Sequence, residues 1–281
     1  MTARELYLYA RARLSEAGID SPGFDASLLT EHFLGLDRPG LALHGDTVPP
    51  EEKRQGFIEA VGQRARRRPL QYILGEWPFM SLTLKVGEGV LVPREDTAVL
   101  VEALAARLDR GARGLDLCAG TGAVGLGICS LAPGARVTCV ELDGTAMGYL
   151  RKNIERYPGY SCTAVTADVL SAPKGFQGGL DFIASNPPYI ASDELSALQP
   201  EVQKEPSLAL NGGRDGLVFY RAILKNWAGL LQEGGLLGVE IGETQAGDVS
   251  ALFAQHGFED VAVHRDLAGL NRAVTGVKAS V

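Results

Sequence analysis

The chain has 281 residues, 46% apolar and 22% charged, a balance that suits a globular protein and excludes a disordered or fibrous one. Its net charge of −7 and pI near 5.2 argue against a protein held to duplex nucleic acid by a basic surface. No apolar run is long enough to span a bilayer and MTARELYLYA lacks a signal-peptide core, so a cytoplasmic protein without membrane association is expected.

Residues 1–75 read as a small helical domain. Thr2 and Glu5 have capping-box spacing, and Leu6, Ala10, Leu14 and Ala17 keep a helical period up to Gly18. Ser21-Pro22 opens a second helix carrying Phe24, Leu28, Leu29 and Phe33, and Gly35 closes it. A third runs from Glu51, after the Pro49-Pro50 break, toward Arg68. It ends in RARRR, with Arg64, Arg66, Arg67 and Arg68 read as the solvated end of a helix whose dipole favours cations; a docking patch is the alternative.

Residues 76–93 form a connector in which Phe79, Leu82, Leu84 and Val86, then Val90 and Val92, predict a β-hairpin turning at Gly87-Glu88-Gly89. Glu95 or Asp96 can cap a helix over 97–108. In the domain 94–281, strand-like runs fall at 114–118, 135–141, 162–166, 180–185 and 236–241. Helical patterns intervene at 124–131 and 144–156, and later at 216–231 and 244–256. This alternation predicts an α/β fold with a mostly parallel sheet, whose ligands bind beyond the carboxyl ends of the strands. Cys118, Cys129, Cys139 and Cys162 lack C-x-x-C spacing and sit in apolar segments, so they read as buried free thiols. His32, His44, His256 and His264 are scattered, and no metal site is expected.

Two stretches carry chemistry. GLDLCAGTGAVGLGI sets Gly120, Gly122 and Gly125 between a strand and a helix, with Glu141 at the end of the next strand, where a carboxylate can take ribose hydroxyls. That much fits a nicotinamide dinucleotide and S-adenosylmethionine equally. Asp116, inside the first strand, favours the second: it suits a cationic methionine end and would repel a pyrophosphate. Asp168 ends the third strand, where it can accept the exocyclic amine of adenine, or serve only as a cap or turn residue. The other stretch is Asn186-Pro187-Pro188-Tyr189, which stops an apolar strand. Two prolines cannot feed a ladder and stiffen the peptide, which suits a site that aims an amide, a carbonyl and an aromatic ring at one small target.

With glycine loop, Glu141, Asp168 and NPPY in this order, the chain resembles class I S-adenosylmethionine-dependent methyltransferases of amide or exocyclic amine nitrogens. PLQYILGEWPF, VLVPREDT, EPSLALNGGRDGLVFYR, EIGETQ and RDLAGLNR make it similar, along nearly its whole length, to the protein-(glutamine-N5) methyltransferase family that acts on peptide-chain release factors. The resemblance implies a Rossmann-like catalytic domain behind the helical one and methylation of the glutamine of a Gly-Gly-Gln motif, leaving S-adenosylhomocysteine. It implies that Asn186 and the Pro187 carbonyl hold the glutamine amide, with Pro188 and Tyr189 lining its pocket. It places cofactor contacts on Asp116, Cys118, Ala119, Gly120, Thr121 and Gly122, then on Glu141, Leu142, Asp168, Val169 and Asn186. A monomer is expected, with no direct nucleic-acid partner. The helical domain would dock the protein substrate. A ribosomal-protein glutamine, an adenine N6 in nucleic acid, nicotinamide-dependent chemistry and a SAM-sensing protein without turnover are the alternatives.

Overall fold

The structure is a computed structural model and describes residues 1–280. The chain divides into two compact units: Met1–Glu76 joined by Gln199–Lys204, and Trp77–Leu198 with the residues from Glu205 onward.

The first unit holds α1 (Ala3–Glu16), α2 (Pro22–Leu34), α3 (Arg38–His44), α4 (Glu51–Ala65) and α5 (Leu70–Leu74). The capping box forms: the Glu5 N–H donates to Thr2 Oγ1 (3.2 Å) and the Thr2 N–H to Glu5 Oε2 (2.8 Å). Ala3, Leu6, Ala10 and Leu14 make the buried stripe of α1. Gly35 closes α2 with φ 72°, a left-handed geometry that costs glycine little. α3 and α5, at 7 and 5 residues, are too short to show a period and were not expected.

The basic run is not a solvated helix end. Arg64 is 7% exposed, and donates from Nε to Asp25 Oδ2 (2.6 Å) and from Nη1 to Glu201 Oε1 (2.8 Å). Arg67 also donates to Glu201 (3.1 Å) and to the carbonyls of Ala17 and Gly18, and Arg68 donates to Gln63. Only Arg66 is exposed. Burial pushes the Asp25 carboxyl up and Arg64 pulls it back, so these cations are here to neutralise carboxylates inside the unit.

β1 (Glu76–Phe79) and β2 (Leu82–Lys85) pair as a two-stranded sheet leading into the second unit. The hairpin reverses at Met80–Ser81, with Met80 at φ 51°; Gly87-Glu88-Gly89 makes a separate turn after β2, closed by the Val90 N–H on the Gly87 carbonyl (3.3 Å). Those glycines answer a different need: a Cβ on Gly87 would lie 2.1 Å from the Tyr149 hydroxyl, and one on Gly89 2.6 Å from Thr145 Cγ2. Val90 and Val92 lie outside any strand, and the Val92 N–H donates to Glu205 Oε2 (2.9 Å). A 3-10 turn at Glu95–Thr97 precedes α6 (Ala98–Ala105).

The main sheet contains β3 (Arg113–Leu117), β4 (Arg136–Glu141), β5 (Ser161–Thr166), β6 (Leu180–Ser185), β7 (Leu231–Glu240), β8 (Phe258–Arg265) and β9 (Asn271–Lys278). Its order is β5-β4-β3-β6-β7-β9-β8, parallel from β5 to β7, with β9 antiparallel to both β7 and β8. The final two strands lie outside the predicted elements, because β8, FEDVAVHR, buries only Phe258 and shows no run of alternating apolar residues. α7 (Ala123–Leu131), α8 (Gly144–Arg156), α9 (Val218–Ala222) and α10 (Ala246–Gln255) connect the strands. The single helix expected over 216–231 is broken: α9 passes into a π-helical turn, Ile223–Trp227, then a 3-10 turn, Ala228–Leu230. The distortion accompanies a fully buried Trp227, whose indole N–H donates to the Val169 carbonyl (2.8 Å).

Both sheet faces are covered. Phe182 packs with Leu100, Leu104, Leu126 and Ile128 on one side; Ile183, Leu237, Tyr220, Trp227 and Phe253 pack on the other. All four cysteines are free. Among the described residues no helix is long and apolar enough to cross a membrane, and no His, Cys, Asp and Glu cluster could hold a metal ion.

Candidate active site

β3 is flanked by β4 on one side and β6 on the other, so the connections leave in opposite directions and open a crevice at its carboxyl end. A cleft of about 1040 Å³, its open mouth included, lies there. Its floor is the glycine turn. Cys118 (φ 59°), Gly120 (φ 55°) and Gly122 (φ 82°) bend the backbone left-handed, and the Ala119 N–H anchors the turn on the Val140 carbonyl (3.0 Å). Gly125 permits close packing: its N–H donates to Asp116 Oδ2 (2.8 Å), and a Cβ there would lie 2.7 Å from Cys139 Sγ.

Asp116 is fully buried and its Oδ1 has no hydrogen-bond partner. Burial pushes its carboxyl up to about 7; the Gly125 N–H lowers it and the Glu141 charge raises it further. An unpartnered acid beneath the turn favours a cationic ligand over a pyrophosphate. Burial likewise pushes the Cys118 thiol far up, with Glu141 adding to the rise, so it stays an uncharged thiol. Glu141 Oε2 accepts the Gly120 N–H (2.8 Å), while Oε1 accepts those of Leu142 and Asp143 (2.8 Å each). With three of about four lone-pair sites used, Oε2 can still take a ligand hydroxyl. Asp168 acts as the turn residue of the alternative reading, accepting the Leu170 N–H (2.9 Å) and the Ser171 hydroxyl (3.1 Å), and also lines the cleft.

Of the residues singled out from sequence, Cys118, Ala119, Gly120, Thr121, Glu141 and Leu142 line this cleft, as do Asp168, Val169, Asn186 and Pro188. Asp116, Gly122, Pro187 and Tyr189 do not reach its wall. The Ser185 hydroxyl ties the end of β6 to the Leu117 carbonyl (2.7 Å), and Asn186 Nδ2 donates to Thr97 Oγ1 (3.3 Å). Tyr189 turns the other way, its hydroxyl donating to Glu240 Oε1 (3.3 Å) and its carbonyl accepting Gln245 Nε2 (3.0 Å). Burial, with the Glu240 charge, pushes its phenol well above the ordinary range. The Ile190 N–H to Leu210 carbonyl bond (3.0 Å) and the Gly212 N–H to Ile190 carbonyl bond (2.8 Å) clamp the downstream side. NPPY is thus a braced corner with its amide at the cleft.

Val90, Leu91, Val92 and Pro93, then Leu208, Ala209 and Phe219, supply apolar wall that no reading of single residues assigned. They lie in VLVPREDT and EPSLALNGGRDGLVFYR, as Glu240 and Gln245 lie in EIGETQ.

A glycine turn at the switch point, carboxylates under it and at the ends of neighbouring strands, and an apolar slot define a class I S-adenosylmethionine-dependent methyltransferase. Residues 5–75 match the PrmC N-terminal domain and residues 94–225 the Methyltransferase small domain. The chain is 38% identical over 276 residues to the release factor glutamine methyltransferase of Geobacter sulfurreducens, covering 98% of this chain and 96% of that one. It is 40% identical over 275 residues to that of Mycolicibacterium smegmatis, covering 96% and 95%. A solved methyltransferase from Pyrococcus furiosus shares the fold, with a TM-score of 0.55 and 18% identity over 72% of this chain and 91% of its own. The chain belongs to the release factor glutamine methyltransferase family.

Proposed function

We propose that this protein methylates the side-chain amide nitrogen of the glutamine in the Gly-Gly-Gln motif of release factors, a substrate that implies a cytoplasmic setting. One observation carries the reading: the Asn186 amide stands at the cleft wall, with Nδ2 turned to Thr97 and Oδ1 left for a ligand. S-adenosylmethionine supplies an electrophilic methyl carbon on a sulfonium sulfur. Glu141 would hold its ribose and Asp168 its adenine amine, while Asp116, sealed beneath the turn, would act on its cationic end by charge and not by contact.

An amide nitrogen is a poor nucleophile because its lone pair is shared with the carbonyl. Asn186 Oδ1, at the cleft wall, accepts one of its N–H groups and aims what remains of the lone pair; the Pro187 carbonyl, set back from the wall in this structure, would take the second once the substrate is seated. Positive charge grows on nitrogen as the new bond forms, so these hydrogen bonds strengthen toward the transition state. Each is worth about 1.5–3 kcal/mol once its donor is charged. Orientation by a rigid corner can supply up to about 7–11 kcal/mol more. The double proline and the bonds from Ile190 to Leu210 and from Gly212 to Ile190 provide that rigidity.

The test is to incubate the protein with S-adenosylmethionine and purified release factor and map the added methyl mass. It should fall on the Gly-Gly-Gln peptide, and Asn186→Ala should abolish it while calorimetric S-adenosylmethionine affinity changes little. An unmodified Gly-Gly-Gln peptide beside a methylated ribosomal-protein glutamine or adenine would overturn the assignment.

A further inference from the structure

Behind the corner lies a buried acid with no part in the mechanism above. Glu240, at the end of β7, is 3% exposed; Oε1 meets the Tyr189 hydroxyl (3.3 Å) and Oε2 has no hydrogen-bond partner. The Thr97 hydroxyl, itself 2% exposed, faces this carboxyl and also meets Asn186 Nδ2 (3.3 Å). A hydroxyl has one hydrogen to give, and an ionised carboxylate can only accept. If Thr97 gives its hydrogen to Glu240, it offers Asn186 only a lone pair. The Asn186 NH2 must then face Thr97, and Oδ1 faces the cleft. A neutral Glu240 can instead donate to Thr97, whose own hydrogen then points at Asn186. The amide turns over and presents NH2 to the N–H of a substrate amide, a repulsive pairing.

We infer that Glu240 is a positioning residue, acting through Thr97 to hold the Asn186 carboxamide with its oxygen toward the substrate amide. The inference rests on the proposed role of Asn186 and says what sets that role.

The surroundings make the relay sensitive to pH. Burial pushes the Glu240 carboxyl up to about 7, while the hydroxyls of Thr97 and Tyr189 lower it. Of the charged groups facing it, Asp96 on the turn before α6 raises it and Arg272 on β9 lowers it. Arg272 is itself shared between Asp96 (3.1 Å) and Asp266 (2.7 Å). Tyr220 on α9 donates to the Glu240 backbone carbonyl (2.9 Å), with Gln245 Oε1 also in reach (3.3 Å), and stays protonated, because burial pushes its phenol up. Productive orientation of Asn186 is therefore gained as pH rises through neutrality.

The experiment measures kcat against pH, with S-adenosylmethionine affinity by calorimetry, for Glu240→Gln, Thr97→Val, Thr97→Ser and the double variant Glu240→Gln with Thr97→Val. Gln at 240 cannot ionise; with its carbonyl taking the Tyr189 hydroxyl as Glu240 Oε1 does, its NH2 is left to donate to Thr97 at every pH. Glu240→Gln and Thr97→Val should each lower kcat by about 10²-fold, the loss typical of one misplaced transition-state hydrogen bond, with cofactor affinity near wild type. Thr97→Ser keeps the hydroxyl and should retain turnover. Glu240→Gln should also lose the acid limb of the profile, and the double variant should be no worse than the poorer single. Wild-type kcat and acid limb in both single variants, or losses that simply add, would overturn the relay. Should Glu240→Gln fail to fold, the contrast between Thr97→Val and Thr97→Ser decides, equal rates going against it. An active Asn186→Ala would refute the reading of the corner itself; an inactive one, beside unaffected relay variants, would sink only this inference.

Discussion

Gly216→Ala tests whether the placement of the corner sets the rate. Gly216 has φ 70°, and a Cβ there would lie 2.4 Å from the Tyr189 carbonyl oxygen and 2.6 Å from Gln245 Nε2. Ordinary contact starts at 3.4 Å, so the carbonyl must move by about 1 Å or the loop carrying residue 216 must withdraw. Either way Gln245 Nε2 loses its bonds to the carbonyls of Tyr189 (3.0 Å) and Gly216 (3.4 Å). The left-handed backbone costs about 1–2 kcal/mol for a residue with a Cβ. The two lost hydrogen bonds cost about 0.5–1.5 kcal/mol each, so urea unfolding should report a loss of about 2–5 kcal/mol. Asn186 lies three residues before Tyr189 on the same stiff segment, and a 1 Å misplacement at a reacting centre costs about 10²-fold in rate. Methyl transfer to release factor should fall by that order, while S-adenosylmethionine affinity holds, because Gly216 is not part of the cleft wall. Gly229→Ala, with nothing within 4 Å of its Cβ, is the control and should be near neutral in both assays. A Gly216→Ala protein that loses the stability yet keeps the wild-type kcat would refute the reasoning.

Two further predictions concern buried charge. Arg64→Ala strips the buried cation from Asp25 and Glu201, whose side chains are 8% and 19% exposed, and should cost about 3–5 kcal/mol in chemical denaturation, while Arg66→Ala should be near neutral. For Asp116, the folded carboxyl titrates near 7 and the unfolded one near 3.8, so between those values the folded state holds the extra proton. Its contribution to stability is full below 3.8 and is lost as pH rises toward 7, so unfolding of the cofactor-free protein should show Asp116→Asn gaining on wild type across that window and level beyond it; parallel curves would refute the assignment.

What was legible in the sequence is what short-range physics writes into neighbouring residues. The α1 capping box, the Pro22 and Gly35 ends of α2, the β3 turn with its glycines and the proline stop after β6 each depend on a few consecutive side chains. What failed depends on partners far along the chain. Arg64 looks like any arginine at a helix end until Asp25, 39 residues before it, and Glu201, 137 residues after it, are brought to its guanidinium. Gly87 and Gly89 do make a turn, but nothing local announces that it lies outside the hairpin, with Tyr149 and Thr145 pressing against it. The helix expected over 216–231 is broken where Trp227 reaches a partner likewise far along the chain, the Val169 carbonyl.

The same distinction explains why Asn186 could be named and its supports could not. A carboxamide before two prolines is conspicuous in four letters, whereas Glu240 is one acid at a strand end. Strand pairing brings it into place: β6 lies beside β7, with Ser185 opposite Val239, and β7 beside β9, with Glu240 opposite Ala273. That register sets Glu240 next to both Tyr189 and Arg272, so the acid meets the NPPY corner through two strand pairings that no local pattern encodes. Motif residues are read from spacing; the residues that brace them are chosen by the sheet. In this fold, therefore, substitutions that silence the motif while sparing the cleft should be sought at the carboxyl ends of the strands flanking β6, where Thr97, Glu240 and Gln245 converge.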